Sequence, residues 1–309
     1  GEHVLPPLRD RLDRVRRVEV AVAGAGYALE RRGDGWVAAS AHGYPVQAER
    51  VNRLLVSLAN LQKIEPKTAD PARFRRLSVG DPGSDPNARL VRLLGPDGSV
   101  LAELIVGRQR HALTGRADAG TYVRRPEGAR AWLAAGLADL SDTVYPWLQR
   151  EVIDVAPGAI RRIEVTRPDG RRLVAVRPQR GAPALAIADV PQGRRLDVSK
   201  VRRLGAMLSQ IKFDAVEPAD GFRPDRRLAR TVVRTFDGLA VTLDVLARDG
   251  RYWLALEAGA DPQAPEASAS AARAGTLQDK VGGWRYQVAD YVAERLMQTR
   301  EDVLADAGG

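Results

Sequence analysis

The sequence predicts an α+β protein of two tandem homologous repeats, each a mainly antiparallel sheet with one principal packed helix. Three observations predict it. A helical apolar stripe occurs twice at a fixed offset, short strands punctuated by turn residues surround each copy, and 309 residues suit two domains of ordinary size. The first stripe is Val51, Leu54, Leu55, Leu58 and Leu61, which fall on one face of a 3.6-residue period. Its copy is Val201, Leu204 and Leu208, and Asp70 likewise recurs as Asp220, every pair lying 150 positions apart. Repeats are therefore expected at 1–150 and 151–309, with equivalent helices at 46–61 and 197–211. Gly205 stands where the first copy has Leu55, so the second helix loses a core contact and about 1 kcal/mol of helix propensity.

The elements follow in order. Leu8, Leu12 and Val15 give residues 8–16 helical spacing, and Val18, Val20 and Val22 then alternate as a half-buried strand. Strands at Tyr27–Glu30 and Trp36–Ala38 flank the hairpin turn Arg32-Gly33-Asp34-Gly35, and the core helix begins after Pro45. A short helix starts at Asp70 as N-cap, with Pro71 in the first position, where its missing N–H is not needed. A loop at 80–87 leads to a hairpin of Arg89–Leu94 and Val100–Val106 across Gly95-Pro96-Asp97-Gly98. Residues 107–120 read as a loop, and strands at Thr121–Arg125 and Ala129–Leu133 complete the first sheet.

Residues 141–158 connect the repeats, and Ile163-Glu164-Val165 restarts the pattern of Val18-Glu19-Val20. Turns at Pro168-Asp169-Gly170, Asp237-Gly238 and Asp249-Gly250 separate strands that include 231–235, 240–245 and 252–256. Residues 258–275, rich in Ala, Pro, Ser and Gly, are expected to be a mobile loop. Trp284, Tyr286 and Val288 form a last strand, and Tyr291, Val292, Leu296 and Val303 a last amphipathic helix.

The composition is basic, with 48 Lys and Arg against 39 Asp and Glu, and only Lys63, Lys67, Lys200, Lys212 and Lys280 are lysines. The arginines are interleaved with acids along both halves, the pattern of a solvated surface rather than of a nucleic-acid groove. Without cysteine there is no disulfide framework or thiolate metal site. No apolar run approaches the ~18 residues of a membrane span. Gly24-Ala25-Gly26 after a strand lacks the third glycine and the helix of a dinucleotide fingerprint, so it reads as a turn. His3, His42 and His111 have no metal-ligand spacing, and no nucleophile-elbow, phosphate-loop or zinc-protease motif occurs. Arg32-Gly33-Asp34 is better read as a turn than as an adhesion motif. No catalytic, cofactor or metal residue is assigned.

Lys67 and Thr68 stand out because the second copy keeps the flanking Glu-Pro and Ala-Asp as 217–220 but omits them. A polar turn that differs between copies is a candidate contact site; the simpler reading has Thr68 and Asp70 capping the short helix with Lys67 in solvent.

A set of segments then resembles a known family. These are Leu5-Pro6-Pro7-Leu8, Leu29-Glu30-Arg31 with Gly35-Trp36, Gly43-Tyr44-Pro45, and Glu65 through Pro71. They continue with Asp97-Gly98, Leu104-Ile105-Val106-Gly107, Tyr122-Val123-Arg124-Arg125, Trp132-Leu133-Ala134, Trp147-Leu148 and Trp284-Arg285-Tyr286. Together they are similar to the bacterial domain-of-unknown-function family 4340, whose members are encoded beside ABC transporters of the gliding-motility type. The resemblance implies a membrane anchor preceding Gly1 and a repeated α+β region on the periplasmic side of the inner membrane. It implies a non-enzymatic accessory or recognition component whose partners are the transporter permease and its gliding-type auxiliary protein, without cofactor. Lys67, Thr68, Arg124 and Arg125 are the expected partner or ligand contacts. The alternative from the arginine excess is a binder of anionic polymers: nucleic acid, acidic glycan or lipid head groups. A hydrolase acting through Asp and Glu would require two carboxylates converging in a cleft.

Overall fold

The structure, a computed structural model, describes residues 1–111, 119–267 and 270–306. The chain divides into two compact units, residues 1–149 and 150–309.

The first unit is built on one antiparallel sheet. Its strands are β1 (Arg17–Val22), β2 (Ala25–Arg32), β3 (Gly35–Ala38), β4 (Tyr44–Pro45), β5 (Gln62–Pro66), β6 (Arg89–Leu94), β7 (Val100–Arg110), β8 (Gly120–Arg124) and β9 (Ala131–Ala135). Their spatial order is β4-β3-β2-β1-β6-β7-β8-β9-β5. Alternation holds for Val18 and Val20 on β1, which are buried opposite Leu29 and Tyr27 of β2 and Leu93 and Val91 of β6, whereas Val22 at the strand's end is only half-buried. Helix α1 (Ala48–Asn60) buries Val51, Leu54, Leu55 and Leu58, while Val56 on its far side is half exposed. That stripe meets β3 and the N-terminal 3-10 helix Pro6–Arg14, whose Leu8 is fully buried. The predicted loop 107–120 is strand as far as Arg110; residues 112–118 of it lie outside the described residues.

The second unit has strands β10 (Glu151–Ile153), β11 (Ile160–Thr166), β12 (Arg172–Val176), β13 (Ala186–Ile187), β14 (Ile211–Lys212), β15 (Ala215–Pro218), β16 (Arg226–Thr235), β17 (Leu239–Arg248), β18 (Arg251–Ala260) and β19 (Trp284–Val288). The main sheet runs β13-β12-β11-β16-β17-β18-β19-β15, and β10 pairs with β14 apart from it. Thus the connecting segment 141–158 contains a strand that its irregular composition concealed.

Three helical expectations are corrected. Helix α3 covers only Val198–Gly205 of the expected 197–211. Beyond Gly205 the chain tightens into turns closed by Met207 N–H to Leu204 O (3.0 Å) and Ser209 N–H to Ala206 O (3.0 Å). Met207 and Leu208 are still buried, because turns can aim side chains at a core without completing a helix. The expected mobile loop 258–275 is ordered at both ends: β18 continues to Ala260, and α4 starts at Ser270 and runs to Val281. Alanine is the best helix former and small enough to let a helix lie close on a sheet, so a lack of large apolar side chains does not mean a loop. Ala274 and Val281 are buried, and Gln278 Oε1 accepts the Ala258 N–H of β18 at 2.8 Å. Finally, α5 (Asp290–Leu296) buries Val292 and Leu296 but leaves Tyr291 exposed, and Val303 is buried from a separate 3-10 turn.

Candidate functional site

Three of the segments that carry the family resemblance, 65–71, 104–107 and 122–125, meet at one corner of the first unit. Asp70 caps a short helix, α2 (Pro71–Phe74), its Oδ1 accepting Ala72 N–H at 3.0 Å, with Pro71 in the first turn. Phe74 turns inward against Val79, Ala88, Ile105 and Ala131. Gly107 on β7 passes so close to the Leu77 and Ser78 carbonyls that a Cβ there would overlap them. The loop at 80–87 is organised by Asp85, a buried carboxylate that accepts Gly80 N–H and Asn87 N–H, both at 3.1 Å.

Arg124 binds these pieces together. Its side chain lies over the Phe74 ring at 4.6 Å, and Nε donates to Val79 O at 2.8 Å. Nη1 donates to Pro126 O at 3.1 Å and Nη2 to Asp81 Oδ1 at 2.5 Å. The residue is only 5% exposed, so every face of the guanidinium is used inside the protein. As a partner contact, Arg124 is therefore corrected: it is a clamp on the loop.

Lys67 and Thr68 also hold the corner together. Lys67 N–H donates to Ala131 O at 2.8 Å and Ala131 N–H to Thr68 O at 2.9 Å, which extends the β5–β9 pairing past Pro66. Lys67 Nζ pairs with Glu65 at 2.6 Å, and Thr68 Oγ1 accepts Asp70 N–H at 3.0 Å. The simpler of the two sequence readings accounts for these bonds, except that Lys67 is paired rather than free in solvent. Arg125 alone of the four faces outward, lining a shallow hollow of about 250 Å³ with Glu103, Pro126, Glu127 and Gly128.

What the corner offers to solvent is guanidinium. Arg73, Arg75 and Arg76 follow one another around Phe74, all exposed, and exposed Arg108 reaches Arg76 O through Nη2. Arg73 is paired with Asp70 at 3.4 Å, whereas Arg75, Arg76, Arg125 and Arg130 have no carboxylate partner among the described residues. Elsewhere some cations are consumed in ion pairs, while exposed Arg31, Arg32, Arg202 and Arg203 likewise have no carboxylate partner among the described residues. Arg17 spans Glu19 and Glu30, and its hydrogen bond to Glu19 raises its pKa. Glu164 accepts from Arg162 and Arg234; the Arg162 hydrogen bond holds the carboxyl below the usual range against the opposing effect of burial. Arg230 forms two 2.8 Å bonds with Asp244, and Arg248 forks onto Glu217 while lying over Phe222 and Trp253.

The aromatic motif residues are structural too. Tyr27 OH donates to Ser141 O at 2.8 Å and accepts Trp147 Nε1–H at 2.9 Å, and burial pushes the phenol pKa up. Arg50 lies over the Trp147 ring at 4.6 Å. Sequence reasoning missed Asp85, Arg75 and Arg76 as members of the corner. The run Arg73-Phe74-Arg75-Arg76, one aromatic among exposed cations directly after a cap signal, was the available clue. Among the described residues no cluster of three His, Asp or Glu could hold a metal ion, and no helix is long and apolar enough to cross a membrane.

A family model described as Domain of unknown function (DUF4340) matches residues 36–230, more than half of the chain. No curated protein and no solved structure matches it.

Proposed function

Because the chain belongs to the domain-of-unknown-function family DUF4340, we propose that it is a non-enzymatic recognition component of an ABC transport system of the gliding-motility type. It works on the periplasmic face of the inner membrane, tethered by an anchor preceding Gly1. The observation that carries the recognition role is the arginine corner: Arg75, Arg76 and Arg125 displayed without carboxylate partners on a scaffold held by buried Arg124. Exposed guanidinium groups without carboxylate partners fit an acidic protein surface, because the planar forks are weakly hydrated and lose little freedom on pairing. The partner is the transporter permease with its auxiliary protein.

The two units are copies of one ancestral domain in this reading. Support comes from the strand orders, in which β3-β2-β1-β6-β7-β8-β9-β5 runs parallel to β13-β12-β11-β16-β17-β18-β19-β15.

The test is co-purification of the anchored full-length protein, at native expression in mild detergent, with the neighbouring permease and ATPase. The wild type is expected to bring both. The triple variant Arg75→Glu, Arg76→Glu, Arg125→Glu is expected to bring at least tenfold less with an unchanged melting profile. Recovery of the wild type alone overturns the transport reading, and undiminished capture by the triple variant removes the corner from it.

A further inference from the structure

The second unit contains a groove with the makings of a peptide site. One wall is β10 with the two residues that follow it, Asp154 and Val155. On one side it is bonded to the β14 region, through Phe213 N–H to Arg150 O (3.2 Å) and Val155 N–H to Leu208 O (3.0 Å). No strand lies on its other edge among the described residues. The opposite wall is α4. Its sheet-facing side is occupied by Ser270, Ala274 and Val281, while Arg273, Thr276, Leu277 and Lys280 recur at helical spacing on a second stripe. That stripe, residues 151–155 and Leu239 enclose about 400 Å³.

We propose that this groove takes an extended peptide, which adds as a further strand to the open edge of β10 and sets one acidic side chain against Lys280. Three features argue for that occupant. A strand edge offers unpaired N–H and C=O groups in the spacing that another strand matches, and a three-residue edge spans about 10 Å at ~3.3 Å per residue. The lining is apolar where half-buried Leu277 meets buried Val152, Ile153, Val155 and Leu239, so an apolar side chain of the guest can rest against it. The helix wall is cationic: Arg273 is engaged by Asp237, whereas Lys280 has no carboxylate partner among the described residues and remains to pair with an incoming acid. The inference does not depend on the arginine corner and stands if that surface proves inert.

The whole chain and its Lys280→Glu variant are panned against one displayed library of random octapeptides, and the best peptide is resynthesised. The substituted side chain is exposed, so the variant folds as the wild type does. Wild-type protein is expected to enrich peptides that alternate apolar residues and carry an acid, and Lys280→Glu to bind the resynthesised peptide at least tenfold more weakly. Methylating alternate peptide nitrogens should weaken binding by a similar factor, and hydrogen exchange should slow at 150–156 and 273–281 only. Equal enrichment by the variant, indifference to N-methylation, or protection elsewhere overturns the proposal. So does wild-type self-association that Lys280→Glu abolishes, since a second copy would then hold the edge.

Discussion

Replacing Arg124 with alanine tests whether the corner is held together by that one buried guanidinium. The variant strands Val79 O, whose residue is fully buried, and an unpaired buried carbonyl costs about 1–3 kcal/mol. Loss of the cation over Phe74 adds about 0.5–2 kcal/mol. Asp81 contributes little, because its side chain is 76% exposed and water replaces the lost partner. The total is about 2–5 kcal/mol, which for the unfolding of a unit the size of residues 1–149 lowers the melting temperature by about 5–15 °C. Arg124→Lys should recover only part of it, since one ammonium cannot span the three acceptors of the fork. Hydrogen-exchange mass spectrometry localises the effect: protection should fall in 74–90 and 120–135 and persist in the second unit. A cost below about 0.5 kcal/mol, or a loss spread evenly over both units, would refute the clamp.

Gly107→Ala forces a Cβ onto the Leu77 and Ser78 carbonyls, and overpacking of this kind should cost about 1–3 kcal/mol in a urea titration, whereas Lys67→Ala, which removes an ion pair to half-exposed Glu65, should cost no more than about 1 kcal/mol. Leu54→Ala and Leu204→Ala each empty a buried site and should each cost about 2–5 kcal/mol by the same titration. Gly205→Ala should stabilise by about 0.4–1 kcal/mol: the site has ordinary contact room, the nearest atom being Arg177 Nη2 at 3.5 Å, and glycine is a poor helix former. Glu164 is held low by Arg162 and Arg234, so its folded pKa lies below its unfolded value of about 4.3. The stability it adds is complete above that unfolded value and is lost as pH falls through the folded one; a melting series from pH 6 to pH 3 should therefore lose this increment only below about 4.3, and Glu164→Gln should flatten the curve there.

What the amino-acid sequence determined by itself is what local rules govern. Period-two burial placed β1 with Val18 and Val20 inward, and glycines free to take positive φ placed the turns at Gly98, Gly170 and Gly238. The cap signal of Asp70 and Pro71 placed α2, and the apolar stripe of α1 named its buried face. Each of these is decided within a few residues of chain, so sequence neighbours carry the information. The helix Ser270–Val281, in a segment with few large apolar residues, and the pairing of β10 with β14 were decided by packing partners remote in sequence. The candidate site divides in the same way. Lys67, Thr68, Arg124 and Arg125 were visible as polar residues in unusual company, but a charged side chain looks the same in sequence whether it serves solvent or the interior. Only the approach of Val79 O, Pro126 O, Asp81 and the Phe74 ring, 50 residues or fewer away along the chain yet packed around one guanidinium, makes Arg124 an internal clamp. The same packing leaves Arg125 on the surface beside it, because adjacent residues of an extended chain point to opposite sides.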